Sequence, residues 1–305
     1  MTIESDKDIT PVVAVDTIEN LAGEFPGFRR AHAKGIAFDA TFVPNGELAD
    51  YTTADHLQTK SVPAIVRFSH SSPRPELNEA LMPIKGMAVR FELPGDKYTN
   101  LTMANIPVFI TKTPEDFIRL LQMMSKESPL TVMERLEVFR KSPEFSTVPD
   151  LLKSLKPVSS FAEETFHALH TYYLVDSHCD KHPVRFRWIP VDAIDEQNDT
   201  SSKKDLESEI LHRLQRGTVQ FRLVVQFAEP GDELNDSSVK WPKERKLVEA
   251  GILTINEMRQ DSAENIIFDP TAIVDGVECS DDPVLLFRSP AYLESAKRRQ
   301  AERGL

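Results

Sequence analysis

Cysteine, basic residues and long apolar runs are scarce in this sequence, and each shortage excludes a class of protein. Its two cysteines, Cys179 and Cys279, are too few for a disulfide framework and fit a reducing compartment. The 36 Lys and Arg residues face 48 Asp and Glu, and this net charge of -12 argues against a nucleic-acid partner, since phosphate binding needs concentrated basic charge. The sequence has neither the apolar run of about eighteen residues that a membrane span needs nor the features of a signal peptide. We therefore expect a cytoplasmic protein without a membrane span.

The composition is otherwise that of an ordinary globular protein, with 40% hydrophobic and 28% charged residues. A chain of 305 residues is long for one domain but fits a single large β-rich or mixed domain. Its first segment is acidic and unpatterned, so we expect residues 1–20 to form an N-terminal arm and residues 21–305 a single domain. An arm laid on a neighbouring copy favours a homo-oligomer, a dimer or larger.

Apolar residues alternate with other residues in several segments, which predicts β-strands. Ile36, Phe38, Ala40 and Phe42 share one face at period two, and the strand ends near Pro44. Further strands are predicted at residues 64–70, 86–93, 219–227 and 245–255, and a hairpin at residues 169–178 and 184–190. Strands that follow one another along the chain are typical of antiparallel sheets.

Helices are predicted between and after these strands. Thr113 has the residue type of an N-cap, Pro114 fits the first helical position, and Glu115 and Asp116 supply acidic charge to the first turn. Other helices are predicted at residues 130–140, 148–155 and 206–214 and near the C-terminus. The expected class is α+β, an antiparallel β-barrel with inserted and C-terminal helices.

The C-terminal helix carries a tyrosine with an arginine four residues before it. Arg288 and Tyr292 share a face at this spacing, and a cation beside a phenol favours its anionic form, which is a hard ligand for ferric iron. Asp282 could hold the guanidinium from its far side. Pro290 lies between the two residues, so the helix either kinks or begins anew at Ser289, and a new start would not guarantee a shared face. The simpler alternative is an amphipathic helix with one buried tyrosine.

Other polar residues border the predicted strands. His32 precedes the first strand and is either a satisfied core residue or a catalyst. Arg67 interrupts an apolar run, and its partner is either solvent or an anion. His178, Cys179 and His182 come close together in the hairpin turn, but a structural zinc site needs a fourth ligand that no second motif supplies, so no metal is predicted there.

Together and in this order, these features resemble the catalase superfamily from about Leu21 to Arg299. Residues 29–35 resemble its distal histidine motif, and residues 66–69 resemble the strand that carries a haem-propionate arginine and the distal serine. Residues 105–109 resemble the distal asparagine motif, residues 177–178 the proximal histidine, and residues 239–242 the tryptophan-proline segment. Asp282, Arg288 and Tyr292 resemble the proximal relay.

The resemblance implies a catalase-like barrel with haem b between the barrel and the C-terminal helix. It implies His32, Asn105 and Ser69 as catalytic residues and Tyr292 as the axial ligand of the haem iron. The remaining cofactor contacts that it implies are Arg29, Arg67, Phe117, His178, Asp282, Arg288 and Arg299.

The implied activity is that of a haem-dependent peroxidase, which reduces hydrogen peroxide or organic hydroperoxides and oxidises small organic donors, with weak catalase activity beside it. One alternative is a fatty-acid hydroperoxide isomerase or lyase similar to allene oxide synthase, although Ala31 stands where that group has threonine. Another is a non-catalytic haem-binding barrel. The chain also departs from catalases at Ala104, where they carry another asparagine before Asn105, and this change widens or depolarises the pocket.

Overall fold

The computed structural model describes residues 9–79, 82–125, 128, 130–145, 148–191, 205–261 and 263–304. The α-helices in these ranges are α1 (Pro11–Ala22), α2 (Pro114–Met124), α3 (Val132–Lys141), α4 (Val148–Ser154), α5 (Leu206–Arg216) and α6 (Pro283–Glu302). The strands in these ranges are β1 (Gly35–Pro44), β2 (Val62–His70), β3 (Lys85–Leu93), β4 (Lys97–Ala104), β5 (Phe166–His167), β6 (Tyr172–Val175), β7 (Lys181–Pro190), β8 (Val219–Phe227), β9 (Leu247–Met258) and β10 (Val277–Cys279).

Eight of these strands close into an antiparallel barrel in the order β1-β2-β3-β4-β5-β7-β8-β9, with β9 pairing back onto β1. The closing pair between β7 and β8 runs from Val184 opposite Phe227 to Pro190 opposite Phe221. Strand β6 pairs with β7 outside this ring, and β10 extends it. The predicted α+β barrel with inserted and C-terminal helices is therefore confirmed.

Aromatic side chains fill the barrel. The predicted inward face of β1 is confirmed, because its alternate apolar residues lie in the main hydrophobic core. Phe42 meets Phe91 and Trp188 edge to face, with ring centroids 5.3 and 5.8 Å apart. Near one end of the barrel, Phe68 stacks on Phe161 at 5.1 Å. Because close-packed rings occupy the interior, a large ligand must bind outside the barrel.

The predicted inserted helices are confirmed as α2 to α5. In α2, the Thr113 hydroxyl accepts a hydrogen bond from the Asp116 amide at 3.1 Å, and Pro114 begins the helix. Helices α3, α4 and α5 lie at the three other predicted segments. None of the helices in the described ranges is long and apolar enough to cross a bilayer.

The expectation of an unpatterned N-terminal arm is wrong for the residues that form α1. The Thr10 hydroxyl accepts from the Val13 amide at 3.3 Å, and Pro11 occupies the first helical position. This is the same start signal that predicted α2. Residues 1–8 lie outside the described part of the chain, and the proposed domain boundary at residue 20 stays a prediction.

Ion pairs fix α1 to α6. Arg298 on α6 contacts Asp16 at 2.7 Å and Glu19 at 2.6 Å, and both acids belong to α1. Arg30, which follows α1, contacts Glu19 at 2.5 Å and also pairs with Glu302 at the end of α6. These charges hold α1 and the segment after it against α6, so the two helices form one packed layer beside the barrel.

Candidate active site

A cavity of about 360 Å³ lies between the outer face of the barrel and the helices α1, α2 and α6. Its volume falls within the roughly 300–1,000 Å³ of small-molecule sites. Strand β2 shows how the fold places polar groups there: Phe68 points into the barrel core, whereas Arg67 and Ser69 alternate to the opposite face and line the cavity. The alternation along one strand therefore separates the packed core from the site.

Helix α6 supplies the opposite wall. The helix runs without a break from Pro283 to Glu302, so the alternative start at Ser289 is wrong. Arg288 and Tyr292 share a face despite Pro290 between them, and the Arg288 Nη2 group donates to the Tyr292 hydroxyl oxygen at 2.6 Å. Arg299 lies two turns further along the same face and also lines the cavity.

Behind Arg288 lies a buried chain of hydrogen bonds that the sequence analysis did not identify. Arg288 Nη1 is 3.0 Å from His170 Nε2, and His170 Nδ1 is 2.8 Å from Asp282 Oδ2. Because a guanidinium has donors only, His170 Nε2 accepts and its proton lies on Nδ1, which donates to Asp282. Asp282 therefore reaches Arg288 through His170. The sequence analysis suggested a direct contact between Asp282 and the Arg288 guanidinium, and the observed arrangement differs from it. Its other oxygen caps α6 by accepting from the Val284 and Leu285 amides at 2.8 and 3.3 Å.

The charges of this chain are fixed by their surroundings. Burial and the Arg288 charge outweigh Asp282 and lower the pKa of His170 to about 4, so His170 is neutral near pH 7. Burial acts to raise the pKa of Asp282, but the hydrogen bond from His170 holds it below its usual value. Burial disfavours the charged form of Arg288, yet the Tyr292 oxygen more than compensates and raises its pKa. The result is a permanent cation held against the tyrosine oxygen.

The assignment of His178 as a proximal histidine is wrong. Its side chain is 83% exposed in the turn between β6 and β7, so it does not pack against Arg288. His170, eight residues earlier, is fully buried and contacts Arg288 instead. No group of three or more metal-binding side chains occurs within the described ranges, including this turn.

On the barrel side, His32 faces the cavity in a constrained conformation. Its φ of 55° lies in the left-handed region, where non-glycine residues are uncommon. The His32 Nδ1 atom is 2.9 Å from the Ser69 hydroxyl oxygen, which fixes the ring plane. Burial, followed by the charges of Arg67 and Arg288, lowers the pKa of His32 to about 3. The imidazole is therefore neutral and able to accept a proton near pH 7.

Gly86 on β3 leaves the space that the His32 ring occupies. A Cβ atom at Gly86 would lie 2.8 Å from His32 Cε1 and Nδ1 and 3.0 Å from the Ser69 hydroxyl oxygen. We expect Gly86→Ala to displace His32, a predicted catalytic residue, and to lower kcat/KM at least tenfold, because a small misplacement of such a group is costly. Steady-state kinetics would measure this effect.

A matched control for that variant is Gly95→Ala in the turn after β3. Gly95 has a φ of 72°, so alanine strains the backbone there, but a Cβ would meet nothing within 4 Å. This control should lose stability and keep its kcat/KM. Equal kinetics for Gly86→Ala and the unchanged protein would contradict the proposed contact.

Asn105 does not reach the cavity, contrary to its predicted role as a catalytic residue. Its Oδ1 atom accepts from the Lys85 amide at 2.8 Å, and its Nδ2 group donates to Pro83 O at 3.2 Å and to Glu164 Oε2 at 2.8 Å. The neighbouring Ala104 lines the cavity instead. Asn105 therefore joins the start of β3 to the end of β4, and the position that faces the cavity carries only a methyl group.

The catalase family model matches residues 9–303 of this chain. The chain belongs to the catalase family. It is 32% identical over 300 residues to a catalase-related peroxidase of Mycolicibacterium paratuberculosis, with 95% of each chain covered. It is 29% identical over 308 residues to a catalase-related peroxidase of Synechococcus elongatus, with 97% of this chain and 90% of the relative covered.

Among solved structures, catalase A from Saccharomyces cerevisiae superposes with a TM-score of 0.78 at 19% sequence identity. The alignment covers 90% of this chain and 62% of the yeast protein. At this identity the likeness shows the shared fold. This catalase-family chain therefore spans less than two thirds of the yeast structure and nearly the whole of the catalase-related peroxidases.

Members of the catalase family typically bind haem, and the cavity residues fit that group. Arg29, Arg67 and Arg299 are mostly buried and line one cavity together with the residues described above. Glu264 is the carboxylate beside them, 2.8 Å from Arg29 and 3.7 Å from Arg67. Burial and the charge of Arg29 lower the pKa of Arg67 to about 9 and that of Arg299 to about 10. This excess of buried cations would be relieved by the two carboxylates of a haem.

Two further observations agree with that fit. The Arg67 Nε atom is buried and has no hydrogen-bond partner among the described residues. Phe117 on α2 lines the cavity, with its ring 5.4 Å from that of Phe109, and offers an apolar surface to a flat ligand. The site thus combines anion partners at one end with an apolar interior.

The buried histidines give this catalase-family chain a pH-dependent stability. Five histidines have a lowered pKa, and burial is the largest cause in each. The pKa is about 3 for His32 and His56 and about 4 for His70, His167 and His170. The unfolded chain binds protons near pH 6.5, whereas the folded chain binds them only near pH 3–4. As the pH falls through 6.5, the unfolded state is therefore favoured and stability is lost.

We expect the melting temperature to fall by roughly 5 °C or more between pH 7 and pH 5.5, since one extra proton bound by the unfolded chain is worth about 1.4 kcal/mol per pH unit. Thermal denaturation followed by circular dichroism at the two pH values measures this. A melting temperature that is constant over this range would show that these histidines are charged in the folded protein.

Proposed function

We propose that this catalase-family chain is a haem b-dependent peroxidase that reduces hydrogen peroxide or organic hydroperoxides and oxidises small organic donors. One observation carries the proposal. The neutral His32, Tyr292 with its hydrogen bond from Arg288, and three buried arginines all line the same cavity. When bound, haem supplies the iron centre at which the peroxide oxygen–oxygen bond is cleaved and electrons are taken up.

The residues divide into those that hold the cofactor and those that act on the peroxide. Tyr292 would be the axial ligand, as is established for catalases. Arg288 keeps a positive charge next to the tyrosine oxygen, and the arginines at positions 29, 67 and 299 would pair with the propionates. Phe117 would pack against the ring. These roles give each predicted cofactor contact except Asp282 and His178 a direct place in the proposal, and Asp282 acts through His170 on Arg288.

His32 moves the proton in the proposed reaction. It is neutral, so it can accept the proton of the peroxide O–H group and return it to the far oxygen, which then leaves as water or an alcohol. Ser69 is a positioning residue, because it contacts the ring at Nδ1. In the whole reaction a peroxide ROOH takes two electrons and two protons from donors and becomes ROH and water. The balance of atoms requires no other reactant.

Two features favour peroxidase over catalase turnover. The relatives of matching length are both named catalase-related peroxidases. The amide of Asn105 is turned away from the cavity, so a second molecule of hydrogen peroxide finds no amide partner there. We further propose a cytoplasmic homo-oligomer, since both cysteines are free and Leu286 and Leu293 expose apolar surface on one side of α6.

The absorption spectrum of the haem-loaded protein is the first test. A ferric spectrum of the phenolate-ligated type, which changes on stopped-flow mixing with hydrogen peroxide and returns on addition of a phenol, would support the proposal. Failure to bind haem would reject it. Haem binding without a response to any peroxide would leave a haem-binding protein, and conversion of a lipid hydroperoxide without a donor would indicate an isomerase or lyase.

A further inference from the structure

Arg185 on β7 is a buried cation that lies behind the hydrogen-bonded chain of Arg288, His170 and Asp282. Its side chain is 7% exposed, and it is not among the described residues that line the cavity. The Arg185 Nε group donates to the hydroxyl oxygen of Thr171 at 3.4 Å, and Thr171 directly follows His170. Arg185 therefore lies next to the chain without touching the cavity.

The other contacts of the Arg185 guanidinium are with a loop between β8 and β9. Its Nη1 group donates to Val239 O at 2.7 Å, and its Nη2 group donates to Asp236 O at 3.1 Å and Glu233 O at 3.3 Å. The indole ring of Trp241 covers the guanidinium, with the Arg185 Cζ atom 4.4 Å from the ring centroid. Among the described residues, all the hydrogen-bond acceptors of Arg185 are uncharged oxygens. Its positive charge is thus not matched by a carboxylate in direct contact.

Asp282 is the nearby carboxylate whose charge Arg185 balances. Burial lowers the pKa of Arg185 to about 10, and the charges of three carboxylates oppose this, with Asp282 first among them. The other two each contact a different cation, Asp236 with Lys112 at 3.3 Å and Asp232 with Arg245 at 2.8 Å. Asp282 instead contacts His170, which is neutral near pH 7. Because Arg288 binds Tyr292, Arg185 is the cation that remains for Asp282 within the described ranges.

We propose that Arg185 is a positioning residue of the proposed haem site, because it is the buried counter-cation of Asp282. A buried carboxylate is costly without a balancing charge. With Arg185 beside it, Asp282 stays ionised and accepts the hydrogen bond from His170 Nδ1. His170 Nε2 then accepts from Arg288, which stays against the Tyr292 oxygen. This inference rests on the proposed function, in which Tyr292 is the axial ligand.

The simpler alternative is that Arg185 only fastens the loop between β8 and β9 to the barrel. This loop also supports the cavity, because Ser237 O accepts from the Phe109 amide at 2.9 Å and Phe109 lines the cavity. Loss of the loop contacts could therefore disturb the site without any effect of charge. The two explanations differ in what they predict for substitutions that keep the charge of Arg185 and for those that remove it.

Titration of Arg185→Gln and Arg185→Lys with haem, followed by absorbance, separates charge from loop contacts. Glutamine keeps N–H donors without the charge, whereas lysine keeps the charge without the planar fork of donors. We expect Arg185→Gln to lower haem affinity about tenfold, the lower end of the effect of outer contacts at metal sites, and Arg185→Lys to stay within about threefold of the unchanged protein. The same loss in both variants would overturn the role assigned to the charge.

The absorption spectrum of the bound haem gives a second result from the same titration. Arg185→Gln should depart from the phenolate-ligated type, because Arg288 is held less firmly against Tyr292, and Arg185→Lys should keep it. Native affinity with a native spectrum in Arg185→Gln would overturn the inference. Circular dichroism shows whether each variant folds. If Arg185→Gln does not fold, Arg185→Lys decides alone, since a tenfold loss of affinity in a folded protein that keeps the charge would overturn the inference.

Arg213→Gln is the matched control for the loss of a buried arginine. Arg213 on α5 is 9% exposed and pairs with Glu163 at 2.7 Å and with Glu209 at 2.9 Å, and it is not among the described residues that line the cavity. This control should lose stability and keep its haem affinity and spectrum. A loss of affinity equal to that of Arg185→Gln would show that haem binding only follows stability, and would overturn the inference. Absence of haem binding in the unchanged protein would instead reject the proposed function, and this inference with it.

Discussion

His32→Ala is expected to lower kcat/KM for hydroperoxide by about 10²–10⁴-fold, the usual contribution of a positioned acid-base group. The variant removes the neutral ring that lies 2.9 Å from Ser69 and faces the cavity. Its haem content should be unchanged, since none of the proposed cofactor contacts is altered. Stopped-flow mixing of the haem-loaded variant with peroxide, followed by donor oxidation, measures the loss.

His178→Ala is the matched control for this result. Its side chain is exposed in the turn after β6, so its removal should leave both haem content and kcat/KM as they are. A native rate in His32→Ala would show that another group carries the proton. Loss of activity in His178→Ala would show that the correction from His178 to His170 is mistaken.

Tyr292→Phe is expected to lose most of its haem affinity. Outer contacts to a metal ligand are worth about 10–100-fold in metal affinity, and removal of the ligand itself should cost at least as much. The variant would leave Arg288 buried beside an apolar ring, without the oxygen that now accepts its hydrogen bond at 2.6 Å. Titration of the purified protein with haem, followed by absorbance, gives the affinity and the spectrum.

Tyr172→Phe provides the comparison, because Tyr172 is also buried but its hydroxyl donates to Pro270 O at 3.1 Å. Tyr172 does not contribute to the lining of the cavity among the described residues. This variant should lose some stability and keep its haem. Native haem affinity with an unchanged spectrum in Tyr292→Phe would remove Tyr292 from the role of axial ligand.

Local signals in the sequence predicted most of the fold. The alternation of Ile36, Phe38, Ala40 and Phe42 located β1, and the Thr113 cap located α2. Helix α1 was missed although Thr10 and Pro11 give the same kind of signal, because apolar residues 12–15 follow one another and show no helical period. The two-residue β5 and three-residue β10 are too short to give a pattern.

The residues of the site were predicted less well than the fold. The errors at Asn105 and His178 both arise because residues that are close in sequence lie in different surroundings. Asn105 and Ala104 point to opposite sides of the chain, so an error of one residue exchanges a cavity residue for a structural one. His170 and His178 lie at opposite ends of β6, and only tertiary packing shows which one meets Arg288. By contrast, the spacing of Arg288 and Tyr292 within one helix was enough to predict their contact.

The chain positions of the site residues also determine when the pocket can exist. His32 precedes β1, whereas Tyr292 lies in α6, and every strand of the barrel lies between them. On the ribosome, which adds about 5–20 residues per second, the barrel strands emerge before the helix that carries the proposed axial ligand. A barrel that has folded around β1 to β9 therefore still lacks one wall of the pocket. Insertion of the proposed haem would therefore follow the synthesis of α6.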